Sequence, residues 1–183
     1  MAWNLDSTHS RVGFAVRHMM VSTVRGEFEA FSGALDLDEK DFTQSRIVGE
    51  IQAASVDTRD EKRDEHLRSA DFFDAANHPV IRFESRQIAH VAGSGYRITG
   101  DLTIRGTTRE IVLEAEYGGV HKNPWGQTVT GLSAAGSLDR RDYGLTWNTA
   151  LEAGGFLVGD KVKLELEFEA LQVAEPALAG AAS

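Results

Sequence analysis

The 183-residue sequence contains no cysteine, so neither disulfides nor thiolate chemistry is open to it. With only 3 prolines, little in it interrupts a strand ladder. No apolar run reaches the length needed for a membrane-crossing helix. Positive charge is scarce: 19 Lys and Arg stand against 28 Asp and Glu, for a net charge of -9. Nucleic acid, whose binding needs clustered phosphate-neutralising cations, is therefore excluded as an expected partner, and docking to anionic membrane surfaces is disfavoured. The opening Met1–His9 has neither a basic n-region nor an apolar h-region. A cytoplasmic location is the expectation, or a periplasmic or secreted one if a leader has been removed.

Chemical signatures are equally sparse. The histidines at 9, 18, 66, 78, 90 and 121 stand singly, without His-x-x-x-His or His-Glu-x-x-His spacing, so no metal site is expected. There is no Gly-x-Ser-x-Gly, and Gly154-Gly155 precedes a strand pattern rather than the helix of a phosphate loop. With 28 acids, carboxylate pairs carry no information. The reading assigns no catalytic residue and no cofactor.

What the sequence does have is alternation. Val12, Phe14, Val16 and His18 recur with period two, and Gly26, Phe28 and Ala30 form a second row across an apolar tip, Met19-Met20-Val21. The apolar parity then slips by one, to Phe31, Gly33, Leu35 and Leu37, which predicts a bulge that bends a strand spanning 24–37. Further rows run through Ile47/Gly49/Ile51/Ala53, Ile81/Phe83, Tyr96/Ile98/Gly100/Leu102/Ile104, Ile111/Leu113/Ala115/Tyr117, a weaker Gly/Ala/Ser-rich stretch at 127–138, and Val162/Leu164/Leu166/Phe168. Gly93-Ser94-Gly95 and Arg105-Gly106 mark turns between them. The one helix signal starts at Thr58-Arg-Asp-Glu61, a capping-box pattern, with His66 and Leu67 as its inward residues and Phe72 and Phe73 following. The prediction is an all-β domain over residues 1–173: an eight-stranded antiparallel up-and-down barrel with a helical insertion near 58–74 and a disordered tail at 174–183. A two-sheet sandwich is the rival architecture.

Two polar or apolar clusters stand out. In Leu138-Asp-Arg-Arg-Asp-Tyr-Gly-Leu-Thr-Trp147, Arg140, Arg141 and Asp142 are read as a structural ion-pair lattice, or else as a rim that holds a ligand head group through arginine. Tyr143, Leu145 and Trp147 are read as a strand entering the core. The Met19-Met20 tip has three readings: packing under the helix, a dimer interface, or a ligand portal.

The ordered set Asp6-Ser-Thr-His-Ser10, Val12-x-Phe14-x-Val16-x-His18, Val24-x-Gly-x-Phe28-x-x-Phe-x-Gly33, Ser55-Val-Asp-Thr58, Arg63-Asp-x-His-Leu67, Asp71-Phe-Phe-Asp74, Pro79-x-Ile-x-Phe83, Gly100-x-Leu-Thr-Ile-Arg-Gly106 and Arg141-x-Tyr-Gly-Leu-x-Trp147 resembles the YceI-like family of lipid-binding proteins over about residues 3–173. Tyr143 stands where that family usually has Phe. The resemblance implies an extended, lipocalin-like barrel around an elongated apolar pocket for a polyisoprenoid, an isoprenoid quinone or a fatty-acid derivative. The expected pocket wall is Val12, Phe14, Val16, Phe28, Phe83, Leu102, Ile104, Leu113, Trp147, Leu166 and Phe168, with Arg17, His18, Arg140 and Arg141 as head-group candidates. The expected function is binding, transport or storage of such a lipid by a non-enzymatic protein, and a homodimer is plausible on the greasy tip. The competing readings are an isomerase or cyclase that uses His18, and a solidly packed barrel that binds nothing.

Overall fold

A computed structural model describes residues 2–173; the predicted disordered tail at 174–183 lies outside the described residues. The strands are β1 (Ala2–Leu5), β2 (Arg11–His18), β3 (Ser22–Phe28), β4 (Phe31–Asp36), β5 (Arg46–Gln52), β6 (Val56–Asp57), β7 (Val80–Ala92), β8 (Gly95–Ile104), β9 (Thr107–Lys122), β10 (Thr128–Asp139) and β11 (Val158–Val173). β1 and β2 lie end to end along one edge of β11, and β3 runs on into β4 across Glu29 and Ala30. Counted as interrupted single strands, these pairs join β5, β7, β8, β9, β10 and β11 in a closed antiparallel barrel of eight strands, each paired with its neighbours in sequence. β6 is a two-residue accessory on β3.

The parity slip after Phe28 marks the β3/β4 interruption. Its register opposite β2 ends at Val12↔Phe28, and the pairing with β5 resumes at Phe31↔Ile51. Ser55 holds the bend, since its backbone C=O accepts from Glu29 N and its Oγ from Ala30 N. Tight turns carry positive φ where the strands' right-handed twist requires it: Arg105 and Gly106 between β8 and β9, and Gly93 between β7 and β8.

Helix α1 (Glu61–Arg68) sits at one end of the barrel, and its start differs from the capping-box expectation. Asp60, not Thr58, is the N-cap, accepting from Arg63 N. Thr58 instead serves the helix interior: its N–H and hydroxyl both donate to the buried Asp64 carboxylate, at 2.9 and 2.5 Å. The helix residue most deeply inward is therefore Asp64, while His66 and Leu67 are half-buried. Phe72, in the turn that follows, is buried as expected.

The segment Tyr143–Trp147 is also not the predicted strand. Arg140–Tyr143 form a 3-10 turn, and Gly144 (φ 78) ends it in the left-handed region. The chain beyond folds back over the barrel end and does not join the sheet.

Candidate functional site

Inward side chains from alternate strand positions enclose a cavity of about 570 Å³, within the usual range for small-molecule sites. The eleven residues expected to form an apolar wall, from Val12 to Phe168, all line it. The wall is shaped by glycines under large side chains. The Phe14 ring lies over Gly26 and the Phe83 ring over Gly100, each within 2.5 Å of where a Cβ would stand. Other wall residues, among them Phe31, Ile47 and Ile51 on β4 and β5, come from inward rows the sequence also showed but lie outside the expected eleven. At the end away from α1, Phe42 stacks on Tyr117 at 4.1 Å and meets Tyr96 edge-on at 5.0 Å.

Polar lining gathers at the α1 end, where Arg17, His18, Thr58, Asp60, Lys62, Arg63 and His66 edge the cavity. His66 was not among the expected site residues, although its sequence neighbours marked it as inward. Its ring meets Trp147 edge-on at 4.5 Å and Phe72 at 5.0 Å, and its Nε2 lies 2.8 Å from an Asp71 carboxylate oxygen. Arg17 donates to Met20 O and Thr23 Oγ1, across the hairpin tip. That tip stands out into solvent, with Met20 62% and Val21 77% exposed, so it does not pack under the helix. Met19 and Met20 both hold positive φ, a conformation costly for residues with a Cβ.

The two remaining head-group candidates separate. Arg140 lines the cavity, but its guanidinium donates to the backbone carbonyls of Leu145 (2.6 Å), Gly159 (2.8 Å), Trp147 (2.9 Å) and Val158 (3.3 Å). Burial pulls it below the ordinary guanidinium value, with Asp160 and Asp139 acting in the opposite direction. Arg141 lies outside the cavity lining, on Asp139 and Asp160. Its hydrogen bonds hold the Asp139 carboxyl down at about 2. The expected lattice of Arg140, Arg141 and Asp142 takes another form: Arg140 pins the β10–β11 connection mainly through backbone carbonyls, and Arg141 braces it through Asp139 and Asp160 rather than Asp142.

The model of the YceI-like domain matches residues 3–170, the length of this barrel. The chain belongs to the YceI-like family. A UPF0312 protein of Staphylococcus epidermidis is 40% identical over 168 residues, covering 91% of this chain and 95% of the relative. Among solved structures, the YceI protein of Campylobacter jejuni is 32% identical with a TM-score of 0.73, covering 86% of this chain and 90% of that one. A polyisoprenoid-binding domain from Saccharophagus degradans shares the fold, with a TM-score of 0.71 at 16% identity over 94% of this chain and 99% of that one.

Two further features of this YceI-like barrel lie in the family motifs, but the sequence did not show their surroundings. Asp6, His9 and Glu169 place three ligand-type atoms within 4.8 Å of one another, although no spacing rule marks them. Asp6 is already engaged, accepting from Thr8 N and Thr8 Oγ1 and lying 2.9 Å from His9 Nδ1, so the cluster closes the loop between β1 and β2. These bonds hold the Asp6 carboxyl well below, and the His9 imidazole above, their ordinary values. The second feature is Tyr143, 2% exposed, whose hydroxyl has no hydrogen-bond partner among the described residues and whose pKa burial pushes up to about 12. Among the described residues no helix is long and apolar enough to cross a membrane.

Proposed function

We propose that this protein binds one long-chain amphiphilic lipid, a polyisoprenoid, isoprenoid quinone or fatty-acid derivative, and carries or stores it with the chain inside the barrel. The observation that carries the reading is the cavity of about 570 Å³, walled by aliphatic and aromatic side chains and edged with polar groups at one end. A lumen of this size gives a hydrocarbon chain apolar contacts of the kind a packed core would make. It also disfavours the solidly packed barrel. Burial of each CH₂ contributes about 0.8 kcal/mol, so a chain of ~20 carbons brings about 16 kcal/mol against an association cost of about 4–15. Chain burial therefore supplies the larger part of the affinity, and a polar contact at the head group adds to it. The polar end of the ligand would lie among Arg17, His18, Arg63 and His66 at the α1 end, where Trp147 and Phe72 offer flat apolar surface beside polar atoms. Arg140, with four carbonyl partners already, acts on the ligand only through the position of Trp147. The resemblance to a polyisoprenoid-binding domain supports the same class of ligand.

The test is uptake by delipidated protein. Titration with a long-chain polyprenol or fatty amide, followed by native mass spectrometry and Trp fluorescence, is expected to saturate at one ligand per chain. Failure to take up either compound would count against the reading.

A further inference from the structure

Resting on the lipid-binding reading, one part of the wall points to a subsite of its own. Three inward glycines have the space above them filled: Gly26 by Phe14, Gly100 by Phe83, and Gly136 by Leu113 Cδ2 at 2.8 Å. Gly33 and Gly49 differ. They face each other directly in the β4–β5 register, between the bulky pairs Phe31↔Ile51 and Leu35↔Ile47. A Cβ on Gly49 would meet nothing within 4 Å, and one on Gly33 would find only Val48 O at 3.3 Å and Leu5 Cδ2 at 3.8 Å.

Glycine inside a strand weakens it and marks a bulge, a tight bend or a close approach by something else. The β4–β5 register runs through this pair without a shift, which removes the bulge. One edge of β4 is also unpaired here. β1 meets β4 at Asn4↔Ala34 alone and the β2–β3 ladder stops at Val12↔Phe28, so Phe31, Ser32 and Gly33 pair with β5 but with neither β1 nor β2. On β8, β9 and β11 only alternate residues line the cavity, whereas β4 and β5, like parts of β2 and β10, contribute consecutive residues, with Ser32, Ala34, Val48 and Glu50 joining Gly33 and Gly49. Above the Gly33–Gly49 pair the wall is therefore open where the other inward glycines are covered.

We propose that the Gly33–Gly49 pair forms a side subsite that takes up part of the ligand's apolar chain and sets the longest chain the barrel accepts. Its occupant is hydrocarbon, since the glycines expose backbone already paired in the ladder and their inward neighbours are Phe31, Leu35, Ile47 and Ile51.

A ladder of prenols of increasing length, assayed by displacement of a fluorescent fatty-acid probe from wild type, Gly49→Ala and Gly49→Leu, tests this. Leu at 49 is expected to weaken the longest chains by about tenfold to a hundredfold, the equivalent of excluding two or three CH₂ groups, and to leave the shortest within about twofold. Ala is expected to shift the cut-off the same way by less. It has open space for its Cβ, so it carries the test if Leu prevents folding. Unchanged length profiles in the folded variants would overturn the subsite while the lipid-binding reading stands. Wild type that binds no chain of any length would overturn that reading and the subsite with it.

Discussion

Arg140→Ala is expected to lower the free energy of unfolding by about 3–5 kcal/mol, the range for removing one partner from a buried charged network. The side chain is 4% exposed, and its removal leaves the carbonyls of Leu145, Trp147, Val158 and Gly159 without their donor, in a place where water has little access. Arg140→Lys is expected to recover only part of the loss. An ammonium keeps the charge but cannot spread donors over four acceptors as a planar guanidinium does. Urea denaturation measures both. The same substitution should loosen the barrel mouth: the carbonyl held at Trp147 is what keeps its indole against His66 and Phe72, so Trp emission should move to the red in the native state. A stability within about 0.5 kcal/mol of wild type, the range of ordinary surface changes, would show that these hydrogen bonds do not hold the β10–β11 connection.

Leu166→Arg is expected to weaken lipid binding by a hundredfold or more while the barrel stays folded. Leu166 lies midway along β11, opposite Val12 on one side and Ala134 on the other, with its side chain facing the lumen. It is only half-buried because the cavity lies in front of it. In the empty barrel a guanidinium there can keep water around it. A hydrocarbon chain entering the lumen would strip that water away, and the effective penalty for burying an unpaired ion is several kcal/mol, which converts to at least about a hundredfold in affinity. The outward neighbour Glu167 makes a matched control, since Glu167→Arg adds positive charge on the same strand without facing the lumen. Circular dichroism confirms the fold, and the displacement assay reads the affinity. Wild-type binding by Leu166→Arg would mean that the chain does not lie along this wall.

Much of the architecture was written in the alternation of side chains. The inward rows of β8, β9 and β11 carry the period of a barrel wall, and the parity slip between Phe28 and Phe31 marks where one strand breaks and turns. Ten of the eleven expected wall residues, all but Trp147, line the cavity from strands for that reason: parity alone decides the face. What escaped was set by contacts across the sequence. Thr58 has the form of a helix cap, yet Asp64 six residues on captures its N–H and hydroxyl, and the cap falls to Asp60. Tyr143, Leu145 and Trp147 alternate like a strand, but Gly144 at positive φ ends the regular backbone before any partner is met. Arg140 reads as an ion-pair or head-group arginine because its acceptors are main-chain carbonyls up to 19 residues away, which no side-chain pattern announces. Glycines on an inward row look alike in sequence, and only the packing shows that Gly26 and Gly100 are covered while Gly49 is open.

The most direct test of the central claim is organic extraction of the natively purified protein, with mass spectrometry of the extract and of the intact complex. The account predicts a single class of long-chain amphiphile, near one molecule per chain in wild type and absent from Leu166→Arg. No extractable lipid, together with no uptake of added polyprenol or fatty amide by the folded protein, would contradict it.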